Sequence, residues 1–491
     1  MIIYLLCVII IWLFYIVIVS DKSLNKPPGP IPWPILGNLK LLRSLSKKFG
    51  GQHKAFLYLA DKYKSNIFSL KLGKSNFYVV SGYDGVRKIL KDDNFDGRPW
   101  NEFIKIRNMG LRKGITMNDG KEWKEMRGWL IRCLKNLGFG RVEMTDKINN
   151  ELLIILDKLS SKNGDIIQMK SLIAPAVINV LWSVATGKGI NDTNRLNYFM
   201  DLMVRRASAF DMAGGILSIF PWIRYFAPKK SGYEILVKLN NELREFLLES
   251  IDEHKKNYVE GKEMDLIDMF LKEMYTGQGP EAGFTEEQLL MILIDLFIAG
   301  LQTTTITLDF LFLYMTAHQD VQEKLQNELD LIVGDNQLPQ LSHRQLLPFT
   351  EAVITESQRL RLVTPIIGPR RVLNNTIIDG YNIPKDSFVL INIYSVHSSS
   401  DNFSNPEKFE PERYIKNDVY VPDKKLILFG GGHRRCPGEI LAKSSVFIIF
   451  TGIMKKYKLL PVSDKNLPDL EPIPGLTISP KPYDVLLVSR S

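Results

Sequence analysis

Apolar and polar positions alternate along this chain in a way that divides it into stretches. From Met1 to Val19 no charged residue occurs, and nearly every position is Ile, Leu, Val, Phe, Tyr or Trp. That run is just long enough for a helix to cross a bilayer. A cleaved leader would need a basic start and a small-residue cleavage site. Neither is present, so residues 1–20 are read as a transmembrane anchor. Asp21, Lys22 and Lys26 follow the run and nothing positive precedes it, which directs the rest of the chain to the cytoplasmic side. Pro27-Pro-Gly-Pro-Ile-Pro-Trp-Pro34 then forbids helix and sheet and favours stiff, extended backbone. Residues 21–38 are therefore read as a proline-rich hinge, ahead of one catalytic domain over residues 39–491.

Within that body, Asn66 to Val80 alternates as a small hairpin, and Tyr83 to Lys91 reads as a short helix. Phe95-Asp-Gly-Arg98-Pro99 is a turn, and most of the chain beyond it repeats its apolar residues at three-to-four spacing, as helices do. Ala213 to Pro228 is apolar and aromatic but broken by glycines and prolines. It reads either as core or as a lid between helices that dips into a membrane. Thr285-Glu-Glu-Gln288 has the form of a capping box, and a helix is predicted from about Glu286 to beyond Tyr314. Being apolar nearly all round, that helix belongs in the core. Its middle departs from the pattern: Ala299 and Gly300 are small, and Gln302-Thr303-Thr304-Thr305 is polar. Small residues there make room for a flat ligand or for a neighbouring helix.

Composition changes this picture little. Hydrophobic residues make up 45% of the 491 and charged residues 24%, as in ordinary globular chains. The net charge of +9 suits anionic lipid, an acidic protein or nucleic acid, but no nucleic-acid motif accompanies it. Cys7, Cys133 and Cys436 are the only cysteines, and Cys7 lies in the apolar leader, so no disulfide framework is indicated.

Cys436 is the exception. It sits in Phe429-Gly-Gly-Gly-His-Arg-Arg-Cys436-Pro-Gly438, with an apolar run from Ile440 to Met454 behind it. Glycines let backbone approach a flat group closely, Arg434 offers a partner for a carboxylate, and positive surroundings favour the thiolate that ligates metal. The spacing Phe-x-x-Gly-x-Arg-x-Cys-x-Gly, five fixed positions in ten, resembles the haem-binding signature of the cytochrome P450 family. The resemblance implies a mainly α fold with small β-sheets, and Cys436 as the axial ligand of haem b (iron protoporphyrin IX). Ala299-Gly300-x-x-Thr303-Thr304 is similar to the family's oxygen-activation motif, so Thr303 is expected to help deliver protons to bound O₂. An acid commonly precedes that threonine, whereas this chain has Gln302, expected to order water.

Further segments match in order. Trp123 and Arg127 lie four apart on one helical face, and both are donors that suit a carboxylate. By resemblance they hold a haem propionate together with Arg98, Arg370 and Arg434, with Phe429 and Gly438 completing the cofactor contacts. Glu356 and Arg359, three apart, match the family's structural pair, with Arg413 as its third member. The candidate substrate pocket is Ala299, Gly300, Val363, Ile366, Ile367 and Leu476. The implied reaction inserts one oxygen atom from O₂ into a lipophilic molecule by hydroxylation or epoxidation. No dinucleotide-binding segment is visible, so electrons are expected from NADPH through NADPH-cytochrome P450 reductase, with cytochrome b5 as a second donor. Lys124, Arg132, Lys135, Lys424, Lys425 and Arg435 offer a basic docking face. The expected location is the endoplasmic reticulum membrane. Within the family the likeness is to arthropod members of the microsomal group that includes vertebrate drug-metabolising enzymes. This leaves open an endogenous isoprenoid or hormone such as methyl farnesoate, a broad range of foreign lipophiles, or an O₂-independent isomerase or dehydratase. A non-enzymatic haem protein would not need the small-residue notch.

Overall fold

The structure is a computed structural model that describes residues 25–209, 216–335, 337–463 and 467–490. The expected anchor at residues 1–20, and the start of the hinge, lie outside the described residues. The remainder of the hinge is extended but does not stand free. The Ser69 N–H donates to the Pro28 carbonyl (2.8 Å), and the Asn38 amide donates to the carbonyls of Pro30 and Ile31 (3.1 Å each). The proline segment is thus fastened along the first strand of the body.

That strand, β1 (Ile67–Leu72), turns back into β2 (Ser75–Val80), the hairpin expected from alternation. Helix α1 (Tyr83–Lys91) has the predicted bounds. Then follow α2 (Gly120–Asn136), α3 (Val142–Ser160), the short β3 (Ile166–Ile167) and α4 (Met169–Thr186). Helices α5 (Tyr233–Asn257) and α6 (Leu266–Tyr275) lead to α7 (Glu286–Ala317). After α8 (Gln319–Val333) and α9 (Pro348–Leu360) come β4 (Ile366–Arg371) and β5 (Phe388–Asn392). Helix α10 (Glu439–Lys456), β6 (Tyr457–Pro461) and β7 (Val485–Ser489) complete the chain. One sheet has the order β1-β2-β5-β4, parallel only between β2 and β5, and another the order β6-β7-β3.

Helices α4 and α7 are long and apolar enough to cross a membrane, but 72% and 67% of their apolar windows are buried in the body, so they are core helices. Helix α7 starts where its cap predicts, the Gln288 N–H donating to Thr285 Oγ1 at 3.3 Å. The reciprocal half of the expected box is absent: Gln288 Oε1 accepts from the Gly114 N–H at 3.2 Å instead. Side chains of α2, α3, α4, α6, α7 and α10 form the main hydrophobic core. A smaller core joins α1, the sheet strands β2 and β5, Phe95 and Ile427. Residues of both bodies line the cavity between them, Leu181 and Ile292 from the first, Leu362 and Ile393 from the second.

Of the apolar run at Ala213–Pro228, the described part is a short helix at Ile216–Ile219 and a turn at Pro221–Tyr225. Leu217 is buried, whereas Trp222, Tyr225 and Phe226 are 56%, 72% and 80% exposed. The segment is therefore partly core and partly an exposed aromatic edge.

Candidate active site

A cavity of about 360 Å³ has Cys436 on one wall and Thr303 on another. The cysteine loop is shaped by close approach. Gly432 has φ +63°, and a Cβ there would stand 1.9 Å from the Leu90 carbonyl oxygen of α1, so only glycine fits. The loop closes when the Cys436 N–H donates to the Phe429 carbonyl (2.9 Å), and α10 begins three residues after Cys436. Phe429 and Gly438 also line the cavity. Cys436 keeps accessible surface because it opens on the cavity. Enough protein surrounds it that burial raises its thiol pKa, outweighing the Gly438 N–H and the cations Arg127 and Arg435.

The facing wall is the middle of α7. Ala299, Gly300, Thr303, Thr304 and Thr307 succeed one another at the spacing of a single helical face. Thr303 Oγ1 donates to the Ala299 carbonyl (2.7 Å), and Thr307 Oγ1 to the Thr303 carbonyl (2.8 Å). Gly300 serves both purposes proposed for small residues. It lines the cavity, and a Cβ there would meet Leu181 of α4 at 2.8 Å. Gln302 is not on this face. One residue is a turn of ~100° in a helix of 3.6 residues per turn, and Gln302 is half-buried beside the cavity wall rather than in it.

Five arginines line the cavity: Arg361, and the four expected propionate partners Arg98, Arg127, Arg370 and Arg434. A bulge in β4 makes this possible. Ile367 pairs with Ile391 and Arg370 with Val389, so β4 spends three steps where β5 spends two. The extra residue resets the alternation, and Ile367 and Arg370 both reach the cavity although they are three apart. Arg371 is instead occupied by Asp119 and Asp386, at 2.8 Å each. Burial pushes Arg370 down to about 10 and Arg434 to about 9, and lowers Arg98 strongly; repulsion from a neighbouring arginine contributes in each case. The buried Nε atoms of Arg98 and Arg370 find no hydrogen-bond partner among the described residues. Unsatisfied, crowded cations at one edge of a cavity fit a ligand that brings carboxylates. Trp123 departs from expectation: its indole N–H donates to the Ile115 carbonyl (3.0 Å), and its ring carries Arg434, with Cζ 3.4 Å from the centroid. It positions a cation rather than offering a donor.

The comparisons with known proteins agree with this geometry. The family model for cytochrome P450 matches residues 27–487. The chain is 36% identical to "Probable cytochrome P450 305a1" of Drosophila melanogaster, covering 99% of both chains. It is 34% identical to "Farnesoate epoxidase" of Bombyx mori, over 97% of this chain and 96% of the other, and 31% identical to human "Cytochrome P450 2J2", over 95% and 92%. The chain belongs to the cytochrome P450 family. It is an oxidoreductase of the monooxygenase type, and membership implies a haem-thiolate centre, O₂ and an outside source of electrons. The cavity of this P450 suits that cofactor: a sulfur on one wall, and at one edge a set of cations for propionates, of which Arg98 and Arg370 have an Nε–H without a partner among the described residues.

Other expected residues divide. Val363 and Ile367 line the cavity of this P450, whereas Ile366 and Leu476 do not. Ile366 packs instead against the cluster that contains Phe68 and Val79. Leu476 is 51% exposed at the tip of a turn closed by Ile473 and Ser479. The structure brings Glu356, Arg359 and Arg413 together. Arg359 donates twice to Glu356 (2.8 Å each) and Arg413 once (3.0 Å), and both arginine side chains are buried. Of the proposed basic face, Lys124 and Arg435 line a cleft on the outer side of the cysteine loop with Arg127 and Lys443. Sequence reasoning missed Asp295, whose carboxylate takes the N–H groups of Ile115 (2.7 Å) and Thr116 (2.9 Å) at the cavity wall. An acid in the middle of an apolar helix was its one signal. It also missed Thr307, which helical spacing from Thr303 would have found.

Proposed function

We propose that this P450 is a haem-thiolate monooxygenase acting on an isoprenoid-like lipophile, with farnesoate and its methyl ester the first substrates to try. The observation that carries the reading is that one cavity, mostly apolar in its lining, has Cys436 and Thr303 on its walls together with a cluster of arginines that includes Arg98, Arg127, Arg370 and Arg434. In this reading Cys436 would ligate the haem iron through its sulfur, and Arg98, Arg127, Arg370 and Arg434 would hold the propionates. Bound haem supplies reductive activation of O₂, with the thiolate favouring O–O cleavage.

The chain's own residues then do three things. Ala299, Gly300, Val363 and Ile367 hold the lipophile and keep bulk water out. Thr303 holds a proton at Oγ1, and the hydroxyl donates to the Ala299 carbonyl when not otherwise engaged. Lys124, Arg435 and Lys443 around the outer cleft attract an acidic electron donor, in this reading NADPH-cytochrome P450 reductase, with cytochrome b5 as an auxiliary. The farnesoate named for the silkworm relative motivates the substrate class. The exposed Trp222, Tyr225 and Phe226, together with the apolar leader, motivate placement on the endoplasmic reticulum membrane.

The test expresses the full chain with the reductase in microsomes and supplies NADPH with farnesoate, methyl farnesoate and a panel of unrelated lipophiles. Expected are alkali-resistant membrane association, the reduced-carbonyl spectrum of thiolate-bound haem, and products of the isoprenoid gaining one oxygen by mass spectrometry. Slow oxidation across the whole panel would replace the substrate reading with a detoxifying one. A product formed without O₂ or NADPH would overturn the monooxygenase assignment.

A further inference from the structure

In Phe95-Asp-Gly-Arg98 the arginine lines the cavity, yet the aspartate makes more contacts with the site. Asp96 is buried, with 6% of its surface exposed. One carboxylate oxygen lies 3.4 Å from Arg370 Nη1, and the other lies 3.0 Å from His433 Nδ1 in the cysteine loop. Its main-chain carbonyl accepts from Arg434 Nε at 3.0 Å and from Arg434 Nη2 as well. Arg98 follows two residues later, its own N–H held by Asp119 at 2.7 Å. Asp96 therefore touches the sheet strand β4, through Arg370, and the cysteine loop, through His433 and Arg434. Its carboxylate is also an acid that favours the charged form of Arg98, Arg127, Arg370 and Arg434, four of the five cavity arginines.

We propose that Asp96 is a positioning residue that locks the cysteine loop to the arginine cradle, and that its charge sets the electrostatic field of the cofactor site. The proposal rests on the haem reading of the cavity. The buried Arg370 and the half-buried Arg98, Arg127 and Arg434, facing two propionates, leave an excess of positive charge. One anion inside the cradle reduces that excess, and in a buried setting such a charge is felt strongly. His433 is shared: its Nδ1 also lies 2.9 Å from Asp93, which is 58% exposed. Asp93 thus belongs to the loop tie but not to the cradle. This difference separates the mechanical role from the electrostatic one.

The experiment uses the full-length holoprotein and reads two quantities besides turnover: the reduction potential of the bound haem, and the rate at which haem transfers to an excess of apomyoglobin. Asp96→Asn keeps the size and the main-chain carbonyl but removes the charge. It is expected to shift the potential positive, because a lost negative charge disfavours the ferric form. It is also expected to release haem several-fold faster. Asp96→Glu restores the charge and returns the potential toward the wild-type value. Asp93→Asn leaves the potential unchanged. Should Asp96→Asn fail to take up haem, the double variant Asp96→Asn with Arg370→Met removes one anion and one cation together and is expected to recover it. An unchanged potential in Asp96→Asn, or an equal shift in Asp93→Asn, overturns the proposal. A double variant that stays haem-free while Asp96→Asn does also overturns it. A wild-type protein without the thiolate-haem spectrum would overturn the haem reading itself, which is a separate outcome.

Discussion

A single residue's place on α7 decides what it can do. Thr303 lies on the face that meets the cavity, while Gln302, next to it, lies one ~100° step away. If Thr303 handles the proton, Thr303→Val removes the hydroxyl that does so. Product formed per NADPH consumed should fall toward the ~100-fold low end of what a positioned proton donor contributes. The haem spectrum should be unchanged. Gln302→Ala, off the wall, should change the same ratio far less, and equal losses in the two variants would show that the geometry misleads. The motif identified Thr303 because Ala-Gly-x-x-Thr-Thr is specific. It also promoted Gln302, because adjacency in sequence is not adjacency in a helix. Trp123 shows the converse: its type predicts a donor, but only the fold reveals that Ile115 has taken the N–H.

Between elements, buried ion pairs fix how parts meet. Glu356 and Arg359 are fully enclosed and joined by Arg413 from the segment behind the cysteine loop. Removing one member of such a network leaves an uncompensated buried charge, at a cost of ~3–5 kcal/mol. Arg359→Ala should therefore accumulate as haem-free, unfolded protein, checked by haem content and thermal melting; normal haem content would refute this. A second tie joins α5 to α6. His254 Nε2 lies 3.2 Å from Asp265 Oδ2, and Nδ1 lies 2.6 Å from the Ser250 carbonyl. Burial would lower the pKa of His254, but the hydrogen bonds and the charge of Asp265 prevail and raise it from 6.5 to about 9. A raised folded-state pKa means that the pair's stabilisation is complete below pH 6.5 and is lost as pH rises through about 9. The wild-type melting temperature should fall across that interval, and His254→Gln should lower it at neutral pH and flatten the slope. An unchanged slope would dissociate the pair from stability. Neither partner's role is legible in the sequence, because eleven positions separate them and no short motif links them.

For the molecule as a whole, the site arises where a helical body meets a small sheet. Helix α7 and α10 supply opposite walls, and β4 reaches in through its bulge. Local signals were strong where chemistry demands a fixed spacing within a few residues. The cysteine loop, the notch in α7, the Glu356–Arg359 pair and the hairpin at β1 and β2 were all readable, because steric and hydrogen-bonding requirements there act over one turn or one loop. The family and its mainly α fold followed from those motifs occurring in order. Whether a residue faces the cavity was settled by longer-range contacts. A one-residue bulge carried Arg370 to the site and left Ile366 behind, a turn at Ile473 and Ser479 carried Leu476 out to solvent, and burial raised the thiol of Cys436 despite its basic neighbours. Sequence determined which chemical groups this P450 has and their local backbone. Tertiary structure decided which of them meet, because register, helix azimuth and desolvation are set by partners distant in the chain.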